Sequence, residues 1–174
     1  MRTGRIVTAV AVVLLLTSLT ALPYTTTPMP VFTSMLVTEM EQILRSMEGV
    51  EFLTKTTIGG SPSFFVRYMD NVLNVTLLSS TTVTVYSGGQ PSTATAYKSM
   101  MFYSVITPEQ SVDVCTKLNE WNRGHRGTRA YANTDSSLGF QADLYLEHGV
   151  TLDTIIEALK MFGLSFSLFT NSIK

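Results

Sequence analysis

Cys115, His125 and several carboxylates supply the residue types of a thiol hydrolase, in which a base draws the proton from sulfur. Their setting argues against that chemistry. Cys115 falls on the apolar stripe Val114, Cys115, Leu118 and Trp121, where a cysteine is a small buried hydrophobe, and no Gly-rich nucleophile turn surrounds it. His125 and His148, the latter beside Glu147, lack the HExxH spacing that would set two imidazoles on one metal, and read as solvated loop residues. Phosphate-cradling loops of the G-x-G-x-x-G or Walker kind are missing, and Gly59-Gly60 and Gly88-Gly89 lack the flanking strand and helix such loops need. No catalytic residue, metal site or cofactor is therefore assigned.

What remains is a basic cluster. Arg123, His125, Arg126 and Arg129 crowd around one turn, with the only tryptophan, Trp121, just before it. Such a cluster can grip an anionic ligand or an acidic segment of a partner. Equally, Arg126 or Arg129 can pair with Asp143 or Glu120, while Asn119 and Asn122 satisfy a helix end and Trp121 packs. The candidate binding residues are thus Asn119, Trp121, Asn122, Arg123, Arg126, Arg129 and Asp143, with the structural role weighted above the binding one.

The elements that position these residues follow from periodicity. Leu36, Met40, Ile43, Leu44 and Met47 recur at helical spacing and predict an amphipathic helix over 34–47, begun by Thr33 or Ser34, with Thr38 and Glu41 at capping-box spacing. Strands are expected over 51–58, 63–69 and 72–78, with a GGSP turn at Gly59–Pro62 and a tight hairpin at Asp70-Asn71. Leu73, Val75 and Leu77 face one way, Asn74 and Thr76 the other. TTVTVYS at 81–87 adds a further strand before a loop, SGGQPST, and 94–106 forms a long strand with Tyr97, Met101, Tyr103 and Val105 on one face. Thr107-Pro108-Glu109 has the make-up of a helix start: cap, first-turn proline, then acid. That helix ends at 122–124. Strands over 129–133 and 139–146 make a hairpin, and Thr151 caps a last helix whose stripe is Leu152, Ile155, Ile156, Leu159, Phe162 and Phe166. The fold class is α+β: an antiparallel sheet packed with helices in the order α-β(3-5)-α-β-β-α.

Ahead of this lies a different kind of segment. Arg2 and Arg5 precede the apolar run Ile6–Leu16 and a small polar exit, the layout of a secretory signal. Residues 1–22 read as a signal peptide, cleaved in preference to retained; Ile6–Leu22 is at the lower limit for a membrane anchor. PYTTTPMP at 23–30 is a Thr/Pro linker, so the folded domain is expected over 31–174 in a periplasmic or extracellular space.

With 12 basic and 13 acidic residues the chain carries a net charge of −1, which offers no electrostatic footprint for nucleic acid. One cysteine forbids an intramolecular disulfide and any cysteine-built zinc site. Asn74-Val75-Thr76 is a glycosylation sequon that reads as a chance match.

The order NEWNRGHR at 119–126, then TRAYAN, a short loop, GFQADLYLEHGVT and an apolar helix resembles the YbjN family. The resemblance rests on Asn119, Trp121, Asn122, Arg123, Arg126, Arg129, Ala130, Tyr131, Asp143, Leu144, Gly149, Val150 and Thr151, and covers 108–169. Over 31–106 only the order of elements matches. Three departures mark a divergent relative. Asp135-Ser136-Ser137 stands where the family favours a Gly-Asp-Pro turn, Ser79 and Ser80 stand near an expected cysteine, and Phe162 replaces a tryptophan. The resemblance implies a fold like that of type III secretion chaperones and a regulatory or interaction role without established catalysis. The partner it implies is another protein or a second copy in a homodimer, with the membrane involved only through the N-terminal segment. The alternative is a small-ligand binder or enzyme with a pocket between sheet and helices near the Trp121–Arg126 turn.

Overall fold

Two registers of apolar residues, one of period two and one of helical period, build the molecule. The computed structural model describes residues 31–109 and 113–173, so the expected signal segment and linker lie outside the described residues. The period-two runs form β3 (Val50–Ile58), β4 (Ser61–Tyr68), β5 (Asn71–Ser87), β6 (Gln90–Ile106), β7 (Arg129–Ala132) and β8 (Leu138–Tyr145). They lie side by side in the order β3-β4-β5-β6-β8-β7, every pairing antiparallel. Short β2 (Met35–Leu36) extends the sheet by pairing with Tyr97 and Ala96 of β6. The helices are α1 (Val37–Ser46), α2 (Val114–Gly124) and α3 (Leu152–Ser172). The α+β expectation holds.

The core lies on one face of the sheet. Phe64 and Val66 of β4, Leu73, Val75 and Leu77 of β5, Met100 and Phe102 of β6 and Phe140 of β8 are all buried together with residues of the helices. Helix α1 contributes Met40, Ile43 and Leu44, α2 contributes Leu118 and Trp121, and α3 contributes Ile155, Leu159, Phe162, Phe166 and Phe169. Each large side chain so buried contributes about 1.5–3 kcal/mol relative to exposure. No helix among the described residues is long and apolar enough to cross a membrane.

Several boundaries differ from the expected ones, each for a local reason. Helix α1 starts at Val37, because Met35 and Leu36 are held in the sheet, and Glu39 accepts the Leu36 N–H at 2.7 Å in place of a Thr33 or Ser34 cap. Glu41 forms no capping box with Thr38; its carboxylate instead takes Arg45 and Lys55. The hairpin turn is Met69-Asp70, both left-handed, because Asn71 already pairs with Tyr68 and its amide donates to Met69 O and Ser167 Oγ. Ser61 and Pro62 belong to β4, leaving Gly59-Gly60 as the turn.

The expected loop SGGQPST is also mostly strand. Only Gly88-Gly89 turns, and β5 and β6 pair without a change of register from Asn74↔Tyr103 to Ser87↔Gln90. Thr107-Pro108-Glu109 does not open a helix. Pro108 favours an extended residue before it, and α2 begins at Val114 after Asp113, whose carboxylate accepts from Thr116 N at 3.2 Å and Thr116 Oγ1 at 2.7 Å.

The segment before α3 agrees with its sequence. Gly149 takes a positive φ, where an added Cβ would strike Val31 at 2.9 Å. Val150-Thr151 is β9, paired with β1 (Val31–Phe32). Thr151 Oγ1 then accepts from Thr154 N at 3.3 Å and caps α3.

Candidate functional site

The Trp121–Arg129 junction divides its residues between tasks. Trp121 is 6% exposed; its ring meets Phe140 and Phe169 edge-on, and its Nε1 donates to Thr128 Oγ1 at 3.2 Å. His125 is an exposed loop residue as expected; it also stacks on the indole at 3.6 Å and 4°, and its backbone N–H donates to Trp121 O. Asn122 is bound to backbone. Its Nδ2 donates to Ala130 O and its Oδ1 accepts from Ala130 N, both at 2.9 Å, so the side chain acts as one more rung on the outer edge of β7.

Arg129 pairs with Asp143 across β7 and β8 at 2.6 Å, on the face away from the helices. The arginine side chain is 62% exposed and the carboxylate 22%. Such a pair is worth about 0–1 kcal/mol. Glu120 does not join it and lies nearest Lys117. Asn119, Arg123 and Arg126 are exposed, and no carboxylate pairs with either arginine among the described residues. The seven residues therefore do not converge on one point.

The pocket expected beside this turn is a shallow groove of about 220 Å³, in which Arg126, Gly127 and Thr128 face Ala158, Met161 and Phe162 of α3. Trp121 belongs to a different recess, with Lys117, Glu120, His125 and Ser172. Cys115 corrects the sequence reading: it is exposed. The buried arc of α2 is the narrow series Val114, Leu118 and Trp121, and a residue one step from Val114 points away from it. No three His, Cys, Asp or Glu side chains converge on a metal-sized point among the described residues.

The larger cavity lies on the helix-free face. A hollow of about 460 Å³ is walled by Ile58, Phe65, Val72, Met101, Val105 and Tyr131, with Asn74, Thr76 and Tyr103 also lining it. Sheet register assembles it: Phe65, Asn74, Tyr103, Gln141 and Arg129 form one row across five strands, and beside it Val72 pairs with Arg67 while Gly139 pairs with Val105 and Tyr131. Gly139 is required there, because a Cβ would lie 2.7 Å from the Tyr131 ring that folds over it. Asn74 is only 7% exposed and accepts from Thr76 Oγ1 at 2.6 Å. The sequence does carry a signal for this face. Paired neighbours such as Phe64-Phe65, Val72-Leu73, Met100-Met101 and Phe102-Tyr103 are apolar or aromatic on both sides of their strands, the pattern of strands covered twice.

Tyr131 reports on the hollow. Burial pushes its phenol above the ordinary value, and the neighbouring Tyr103 adds to the effect. A raised pKa favours the neutral form in the fold. That contribution is complete below the unfolded value of about 10 and is lost as pH rises through the folded one. In a spectrophotometric titration one phenol should ionise late, and Tyr131→Phe should remove that step. A late step that persists in the variant would contradict the assignment.

The strands expected over 81–87 and 94–106 join into a second feature, an arm. Beyond Ser79, which has a positive φ, β5 and β6 continue as a two-stranded ribbon to the Gly88-Gly89 turn, where Tyr86 is 75% exposed. No described strand pairs with Ser80–Ser87 of β5 or Gln90–Thr95 of β6 on their outer edges. From Leu78 to Tyr97 there is no charged residue.

Taken together, a sheet whose helices among the described residues lie on one face, an apolar hollow on the other and a projecting ribbon define a small α+β domain built around surfaces. The family model YbjN, described as "Putative bacterial sensory transduction regulator", matches residues 79–174. The match spans more than half of the chain, which belongs to the YbjN family. The crystal structure of YbjN from E. coli, described as "a putative transcription regulator", is similar in fold: TM-score 0.54 at 12% identity, over 75% of this chain and 85% of that one. No curated protein sequence matches the chain. The family description is one of regulation.

Proposed function

We propose that this chain is a non-enzymatic regulatory module that acts outside the cytoplasm by strand-to-strand binding, first of all to a second copy of itself. The observation that carries this reading is the outer edge of β5 over Ser80–Ser87. It is an open row of backbone donors and acceptors in Thr- and Val-rich strand with neither proline nor charge. Exposed edges of that kind pair with other strands unless lysine, proline or a bulge blunts them. Two copies meeting antiparallel along this edge would form a closed, self-complementary interface. The family description supports the regulatory part. Arg2, Arg5 and the apolar run that follows support export.

The test is light scattering during size-exclusion chromatography of the chain and of the double variant Thr82→Lys/Thr84→Lys. The expected result is a dimer for the first and a folded monomer with the same circular dichroism spectrum for the second, since both threonines are exposed. A chain that remains monomeric at every concentration, and that captures the same envelope proteins with and without the lysines, would sink the reading.

A further inference from the structure

We propose that the hollow on the helix-free face is a binding site for a small uncharged carbonyl compound, an amide, ester or ketone on an aromatic or branched aliphatic body. This goes beyond strand-to-strand binding and does not depend on it. At about 460 Å³ the hollow falls in the size range of small-molecule sites, roughly 300–1,000 Å³. Its walls are the side chains of Ile58, Phe65, Val72, Met101, Val105 and the Tyr131 ring, and none of its lining residues is charged at neutral pH. An ion entering it would lose hydration without a counter-charge.

The floor supplies the polar contact. Ser63, fully buried, lies 2.9 Å from Thr76 Oγ1, and Thr76 Oγ1 donates to Asn74 Oδ1 at 2.6 Å. This relay fixes the Asn74 amide by its oxygen and leaves the nitrogen side without an acceptor among the described residues. Asn74 is more than nine-tenths buried and lines the hollow, so its N–H groups have the hollow as their outlet. Tyr103, in the same row, has its hydroxyl oxygen held by Asn133 Nδ2 at 3.3 Å. A ligand that displaces water from the hollow must replace the hydrogen bond that water makes to this amide. A ligand carbonyl oxygen satisfies it, whereas a hydrocarbon does not.

The full chain would be titrated with a dialkylaminonaphthyl ketone, whose emission shifts to the blue in an apolar site, and with the parent dialkylaminonaphthalene that lacks the carbonyl. The expected result is saturable binding of both at a single site per chain. Asn74→Leu should weaken the ketone about tenfold, the loss of a well-made hydrogen bond, and leave the parent compound within about twofold. Met101→Trp, which fills the hollow from a position outside the core, should abolish binding of both while leaving the melting temperature unchanged. The proposal is overturned by any of three results: no saturable binding to the full chain, undiminished binding to Met101→Trp, or equal weakening of both compounds by Asn74→Leu. If Asn74→Leu does not fold, the Met101→Trp result alone decides.

Discussion

Phe140→Ala is expected to destabilise the domain by about 3–5 kcal/mol, the cost of removing a large aromatic from a packed core. Phe140 is fully buried and is the ring on which four aromatic contacts from α2 and α3 meet. Trp121 lies 5.4 Å from it, Phe162 5.4 Å, Phe166 5.6 Å and Phe169 5.1 Å between centroids. Its backbone is fixed at the same time, opposite Ser104 on one side and Ala130 on the other. The surrounding rings therefore cannot close over the space through a simple shift of β8. Aromatic pairs add about 0.5–1.5 kcal/mol beyond their buried area, and this substitution removes several. For a domain of this size a melting-temperature decrease of about 10 °C or more follows. Trp121, the only tryptophan, provides a direct readout, since loss of its edge contact should shift its emission to the red. The control is Phe65→Ala on the bare face. Its ring is only half-buried and should cost much less. Equal losses at the two positions would show that the bare face is covered as fully as the core.

The contrast between those two phenylalanines shows which features were legible in the sequence. The helix-side core was legible: the stripes of α1 and α3 and the inward residues of β5 and β8 follow from periods of 3.6 and two, and the structure buries them. Phe65, Met101 and Tyr103 were not legible as a site, because a period-two reading assigns one face to the core and says nothing about curvature or about what the other face collects. The arm was misread for a related reason. SGGQPST has loop composition, but residues on a projecting ribbon need no core, so polar content does not distinguish strand from loop there. Cys115 failed through a boundary. Starting α2 at Thr107-Pro108 widens its apolar arc, whereas the helix that begins at Val114 turns Cys115 outward. At the basic turn the residue types were visible but their partners were not. Asn122 carries two backbone hydrogen bonds that no spacing rule could reveal, and Arg129 selects Asp143 only because sheet register sets them side by side.

Asn122→Ala is expected to destabilise the domain by about 2–3 kcal/mol, far more than an exposed polar residue at a helix end ordinarily costs. Its amide satisfies both the N–H and the C=O of Ala130, a residue that is itself buried. Truncation leaves both groups without their partner, at about 1–3 kcal/mol for a donor or acceptor that water does not fully recover. The effect should be local as well as global: the amide proton of Ala130 should lose its exchange protection before the rest of the sheet. Asn122→Asp separates geometry from hydrogen bonding. A carboxylate can still accept from Ala130 N, but its other oxygen then faces Ala130 O, so the charged form is disfavoured in the fold and the group's folded pKa rises above its unfolded value. The variant should accordingly be most stable at low pH, where the protonated oxygen can donate to that carbonyl, and should lose this advantage as pH rises through the folded pKa. Arg123→Ala and Arg126→Ala, exposed and without ion pairs among the described residues, should change stability by less than about 0.5 kcal/mol. If Asn122→Ala instead melts like the parent chain, the Asn122 amide does not clamp β7, and its place in the basic turn would have to be explained by something that binds there.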